Sequence, residues 1–138
     1  MSERLYKLRM SERCFRFKPD ALPSHAPRNP GVYEFVTFNV KMEPQVLYVG
    51  LAMPGDGETI YDALAAHMVG SRRPASEDLF KAAKDIYFDY VAGWDGDSPE
   101  DLKDIAGALT LKHGPKLNPT TPPPTSGRYA SVTLEEVG

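Results

Sequence analysis

Cys14 is the only cysteine in the chain. That excludes an internal disulfide and a metal cluster built from cysteines, and it suits a reducing cytoplasm. No apolar run approaches the roughly 20 residues that a membrane span needs, so no membrane is expected as a partner. Met1-Ser2-Glu3-Arg4 has no apolar stretch behind it, so a secretory signal is not expected either. Positive charge is also scarce, with a formal net charge of −3. Residues 1–20 hold six basic and three acidic residues, a net of +3, and the remaining 118 hold 10 basic and 16 acidic, a net of −6. A body this acidic is a poor general binder of phosphate backbones. The basic start reads as a solvated arm, or as a tail that touches nucleic acid or an acidic patch on a partner. Gly50 to Gly55 has the spacing that begins a phosphate loop, but Asp56-Gly57 stand where Lys and Ser or Thr are required. A nucleotide cofactor held by a P-loop is thereby excluded.

What remains is one domain's length with an ordinary apolar content of 41%. Its centre is Pro30 to Gly50. Val32–Val40 and Val46–Gly50 are rich in Val, Phe and Tyr and read as strands, and Lys41–Gln45 breaks the pattern with charge and a proline, as a hairpin loop does. Thr59 is placed to cap a helix carrying Ile60, Leu64, His67 and Met68, closed by Gly70. Ser76 starts a second helix, with Leu79, Phe80 and Ala83 inward. Ile86–Val91 reads as a third strand and Gly93–Asp97, with Trp94, as a turn. Ser98-Pro99-Glu100-Asp101 is a strong helix start, and that helix runs to His113-Gly114. Cys14–Lys18 reads as a short strand, Pro19–Pro30 as a loop, residues 118–127 as an extended Pro-rich linker, and Arg128–Val137 as a last strand or arm.

Gly31-Val32-Tyr33, Tyr48-Val49-Gly50 and Pro115-Lys116-Leu117-Asn118 stand in that order around a helix ending near His67. In these residues the chain resembles the GIY-YIG nucleases over about residues 22 to 118. The resemblance implies an α/β fold: a small, mostly antiparallel sheet of three core strands flanked by helices, with N- and C-terminal extensions. It divides the chain into a basic segment (1–21), a GIY-YIG-like domain (22–118) and a Pro-rich linker with a C-terminal strand or arm (119–138). It also implies a phosphodiester site in which Tyr33, Tyr48, His67 and Asn118 take the family's positions and Gly31 and Gly50 are the motif glycines.

Two family positions are substituted. Asp62 stands where the resemblance implies an arginine, and Ala106 where it implies a metal-binding glutamate. A carboxylate repels a phosphate where a guanidinium would clamp it, and a methyl group offers no oxygen to a metal. Arg72 and Arg73, in the loop after the helix, are the possible substitutes. The expected function is therefore a protein- or nucleic-acid-binding module that has lost hydrolysis, with no cofactor. The alternative is a divergent endonuclease that uses Mg and a relocated acidic ligand. The same residues also allow plainer roles: Tyr33 and Tyr48 as strand aromatics, His67 as a core histidine bonded to a carbonyl, and Asn118 as a helix cap.

Overall fold

The computed structural model describes residues 2–11, 13–53, 55, 57–96, 98–119 and 125–137. Ten elements follow in order: β1 (Ser2–Met10), β2 (Phe15–Arg16), α1 (Leu22–His25), β3 (Gly31–Phe38), β4 (Pro44–Ala52), α2 (Ile60–Val69), α3 (Ser76–Ala82), β5 (Tyr87–Trp94), α4 (Pro99–His113) and β6 (Tyr129–Glu136). The fold is mixed α/β. Its sheet has six strands in the order β4-β3-β5-β1-β6, with β2 added against β5. All pairings are antiparallel except β1 with β6, which is parallel.

The expected hairpin is present, with its strands a residue or two displaced. Asn39 organises its tip by accepting from the backbone N–H groups of Lys41 and Glu43 at 2.9 and 3.0 Å. The three-stranded core is not what forms. β4, β3 and β5 are one half of a longer sheet, and the N-terminal segment supplies an interior strand instead of a solvated arm. The reason lies in the parity of β1: Tyr6 and Leu8 are fully buried, while Leu5 is 44% exposed. The charged residues Lys7 and Arg9 face solvent in the alternate register, so the basic charge coexists with an apolar face. Trp94 likewise ends β5 and is not part of a turn, and Leu22–His25 forms a helical turn inside the Pro-rich loop. Phe80, expected inward, is 46% exposed.

Both faces of the sheet are covered. Tyr33, Phe35 and Phe88 pack with Leu22, Ile60, Leu64 and Leu79 from α1, α2 and α3. On the other face Tyr6, Leu8, Val32, Val49 and Val91 pack with Leu102, Ile105 and Leu109 of α4. The caps of the two longer helices follow the sequence closely. Thr59 with Asp62, and Ser98 with Asp101, form reciprocal capping boxes, and Gly70 and Gly114 close the helices in the left-handed conformation.

β6 is held by a buried polar network. The Arg128 guanidinium donates to Asp101 at 2.9 Å, to Asp104 at 3.0 Å and to the Tyr6 hydroxyl at 3.3 Å. Ser126 binds both oxygens of Asp104, through its N–H at 2.8 Å and its hydroxyl at 2.7 Å. The acidic start of α4 is thus neutralised from the far end of the chain. The tip of the Pro-rich segment, 120–124, lies outside the described residues. Arg128→Ala strips a guanidinium from two carboxylates that are 5% and 1% exposed. It should lower the melting temperature and release the β6 amides to hydrogen exchange before those of β3 and β5. Equal protection across the sheet in the variant would contradict this role.

Candidate functional site

Tyr33 sits in register with Gly50 on β4 and with Tyr90 on β5, and Tyr48 lies opposite Phe35. Both tyrosines point to the α2 face. Their ring centroids lie 5.7 and 5.5 Å from that of His67, in edge-on arrangements. The motif glycines have steric causes. A Cβ on Gly50 would fall on the Cζ and hydroxyl of Tyr33, whose fully buried ring lies across that position. A Cβ on Gly31 would stand 3.0 Å from Ile60 Cδ1, the end of a flexible side chain.

The Tyr33 hydroxyl and His67 Nε2 are 2.7 Å apart, and His67 Nδ1 is 2.8 Å from the Pro74 carbonyl oxygen. A carbonyl only accepts, so Nδ1 carries the proton and donates. Nε2 therefore accepts, and the tyrosine donates to it. Burial, with the nearby Arg72 charge, pushes the His67 pKa down to about 4 and keeps the ring neutral. Burial raises the Tyr33 phenol, and Arg72 offsets only part of that. Burial also raises Tyr48. Tyr48 is half-buried and lines an open groove of about 600 Å³ with Pro74, Leu117 and Pro119 on its floor and Arg73, Asp78 and Lys81 on its rim.

Arg72 and Arg73 part company. Arg72 folds back so that its guanidinium carbon lies 5.9 Å from the Tyr33 ring centroid, pairs with Glu58 and donates to the Leu51 carbonyl at 2.9 Å. The side chain of Arg73 is 90% exposed and 3.8 Å from Asp78. Asp62 is engaged in the α2 cap, where it accepts from the Thr59 N–H and hydroxyl at 3.2 and 2.8 Å. Ala106 packs with the α4-side core, on the opposite face of the sheet from the two tyrosines. Asn118 does not cap α4. Its Oδ1 accepts from the Val49 N–H at 2.9 Å and its Nδ2 donates to the Val49 carbonyl at 3.1 Å, so it pairs with the free edge of β4 as another strand would. Leu117 N–H to the Leu47 carbonyl, at 3.1 Å, continues that cover.

Sequence reasoning missed Glu58, which fixes Arg72, and a second constellation on the α4 face. Glu34 and Asp89 are cross-strand neighbours. Glu34 Oε2 lies 3.6 Å from His113 Nε2, and Cys14 Sγ is 3.8 Å from Asp89 Oδ2. Burial raises both carboxyls; the Asp89 charge pushes Glu34 up further, to about 9, while the bond from Glu34 offsets part of the rise at Asp89, so Glu34 holds a proton toward its neighbour. Burial pushes the Cys14 thiol up to about 12, which leaves it a poor nucleophile. The available signal was parity: Glu34 shares the Val32 side of a strand buried on both faces. Among the described residues, no group of three or more His, Cys, Asp or Glu side chains is placed to hold a metal ion, and no helix is long and apolar enough to cross a membrane. Comparisons of the chain with protein-family models, curated proteins and solved structures find no match.

Gly50→Ala should destabilise the protein by roughly 2–4 kcal/mol, since the Tyr33 ring has nowhere to go, and Gly31→Ala by clearly less. Equal denaturation midpoints for the two variants would refute the steric account. Asn118→Ala leaves the Val49 N–H and carbonyl unpaired and should lose about 1–3 kcal/mol, with faster amide exchange at Val49.

Stability should also depend on pH. The folded Glu34 pKa lies above its ordinary 4.5, so its stabilising contribution is complete below pH 4.5 and is lost as pH rises through about 9. The His67 pKa is depressed from 6.5, so its contribution is complete above that value and is lost as pH falls through about 4. Glu34→Gln should flatten the decline of melting temperature between about pH 4.5 and about 9. An unchanged slope would show that Glu34 does not carry it.

Proposed function

We propose that this chain is a GIY-YIG-like scaffold that has lost phosphodiester hydrolysis and acts as a protein- or nucleic-acid-binding module. The observation that carries this reading is the direction of the Tyr33 hydroxyl, which is buried and donates to a neutral, fully engaged His67. To act on a water, the Tyr33 hydroxyl must either leave its buried bond to His67 or pass its proton to a ring that burial holds neutral. Asp62 is tied into its own helix cap, and Ala106 faces the other core. The Tyr48 groove, apolar on its floor with both signs of charge on its rim, suits a protein segment better than a phosphate backbone. Two N-terminal cations are already paired, Arg4 with Asp95 and Arg16 with Asp85.

One observation favours a second reading, a divergent metal-dependent endonuclease: Arg72 and Glu58 place a cation and a carboxylate beside the tyrosines. Plasmid nicking with magnesium or manganese separates the two. The expected result is no cleavage by the wild type. Cleavage that Tyr48→Phe and Arg72→Ala each reduce by about 10²-fold or more would overturn the binding-module reading.

A further inference from the structure

The face of the sheet opposite α4 is covered unevenly. α1, α2 and α3 pack on it over Tyr33, Phe35 and Phe88, and among the described residues none from β1 or β6 joins that apolar cluster. An open cavity of about 880 Å³ remains beside the covered part. Arg9 of β1, Tyr90 of β5, and Arg13 and Phe15 further along the chain line it.

Two kinds of side chain build its walls. Arg9 points away from α4 by the same alternation that buries Tyr6 and Leu8. A Cβ at Gly93 would stand 3.6 Å from Arg9 Nη2, so the guanidinium lies along β5, where glycine leaves it room. Ser11 ties the segment carrying Arg13 to β5. Its N–H donates to the Tyr90 carbonyl at 2.8 Å, and its hydroxyl donates to the Arg13 carbonyl at 3.1 Å. Among the described residues neither the Arg9 nor the Arg13 guanidinium has a hydrogen bond or an ion pair, whereas those of Arg4, Arg16, Arg72 and Arg128 do. Glu136 also lines the cavity, but Lys112 stands 3.6 Å from it and answers its charge. Lys7, on the Arg9 side of β1, is in register with Glu135, so those two charges offset each other. The other wall is aromatic. Phe15 stacks on His25 at 4.3 Å with 12° between the planes, and lies 6.4 Å from Tyr90 at 13°. Phe15 and Tyr90 are only partly buried and present ring surface to the cavity.

We propose that this cavity binds a short stretch of single-stranded nucleic acid, with phosphates on Arg9 and Arg13 and an unstacked base on Tyr90 and Phe15. A guanidinium matches phosphate oxygens in its fork geometry, and an aromatic ring stacks on any base. A duplex keeps its bases stacked inside and offers this cavity only phosphates. A long duplex would also meet the net −6 of residues 21–138. An acidic peptide can pair with the arginines, but its carboxylates leave the rings without a planar partner. Two unpaired cations set the slope of log K against log salt at about −1.4 for a single strand.

None of these groups belongs to the Tyr33–His67 constellation, so failure here leaves the Tyr48 groove and the loss of hydrolysis untouched. The test is fluorescence anisotropy of the full chain with labelled oligothymidylate and oligouridylate, a duplex of the same length, and an acidic peptide of the same charge. One or both single strands should bind most tightly, and their ratio tells DNA from RNA. Arg9→Glu and Arg13→Glu should each weaken binding by about tenfold or more and flatten the salt slope, with circular dichroism and melting unchanged because both side chains are exposed. Tyr90→Leu keeps an apolar side chain and should cost about fivefold or more with the salt slope intact. Lys41→Glu, at the exposed tip of the β3–β4 hairpin, makes the same change in net charge and should leave affinity within about twofold. A wild type that binds neither single strand at low salt overturns the proposal. So does affinity that the two arginine variants leave unchanged, or that Lys41→Glu reduces as much. Tighter binding of the duplex overturns it too, and tighter binding of the acidic peptide makes the cavity a protein site instead.

Discussion

The Tyr33 ring lying across Gly50 is the contact on which the rest of the α2 half of the molecule is built. It packs β3 against β4 at a point where β4 has no room for a side chain. Its hydroxyl then reaches His67, and His67 reaches Pro74, so one chain of two hydrogen bonds joins the hairpin to α2 and to the loop beyond it. Buried polar groups are tolerable only when each is satisfied, and here each partner is completed by the next. The tyrosine–glycine pattern is therefore explained by packing before any chemistry is asked of it.

That explanation bears on the proposed loss of hydrolysis. A hydroxyl that helps catalysis must meet substrate or water, and burial makes every charged form along this chain expensive. The neutral His67 and the raised Tyr33 phenol are two consequences of the same dry environment. Arg72 is the charge that could change this, but Glu58 and the Leu51 carbonyl already hold it in place. Its geometry stabilises the edge of β4 as directly as it approaches the tyrosines. One guanidinium thus serves a structural bond to β4 and an ion pair beside the candidate site.

Local signals in the sequence were readable where the structure is locally determined. The hairpin, the Thr59 and Ser98 N-caps, the Gly70 and Gly114 terminators and β6 all rest on residues within a few positions of one another. The tyrosines and His67 could be placed together because strand parity and helix spacing are local too. What was not readable depends on distant pairing. β1 looks like a charged arm until β5 and β6 flank it, and only then does the parity of Tyr6 and Leu8 matter. Asp101 and Asp104 look like an unrelieved acidic face, because Arg128 lies 27 and 24 residues further on. The Ala106 position could be counted along the chain, but which face of the sheet α4 covers could not.

Two-sided burial of β3 has a further effect. A strand covered on both faces cannot place a polar side chain in water by alternation, so Glu34 must find its partners inside. It faces Asp89 across the strands and keeps a proton that an exposed carboxylate would lose, while its Oε2, 3.6 Å from His113 Nε2, makes no hydrogen bond among the described residues. A leucine there would pack more cheaply, but it would not distinguish one register of β3 against β5 from the next. The carboxyl pair does, because a two-residue slip would leave both groups buried and alone. The same logic orders the edges of the sheet. On β4, Asn118 imitates a strand with one side chain and ends the ladder there. Among the described residues, no hydrogen bond reaches the outer edge of β6, whose pairing with β1 shifts register near Ala130.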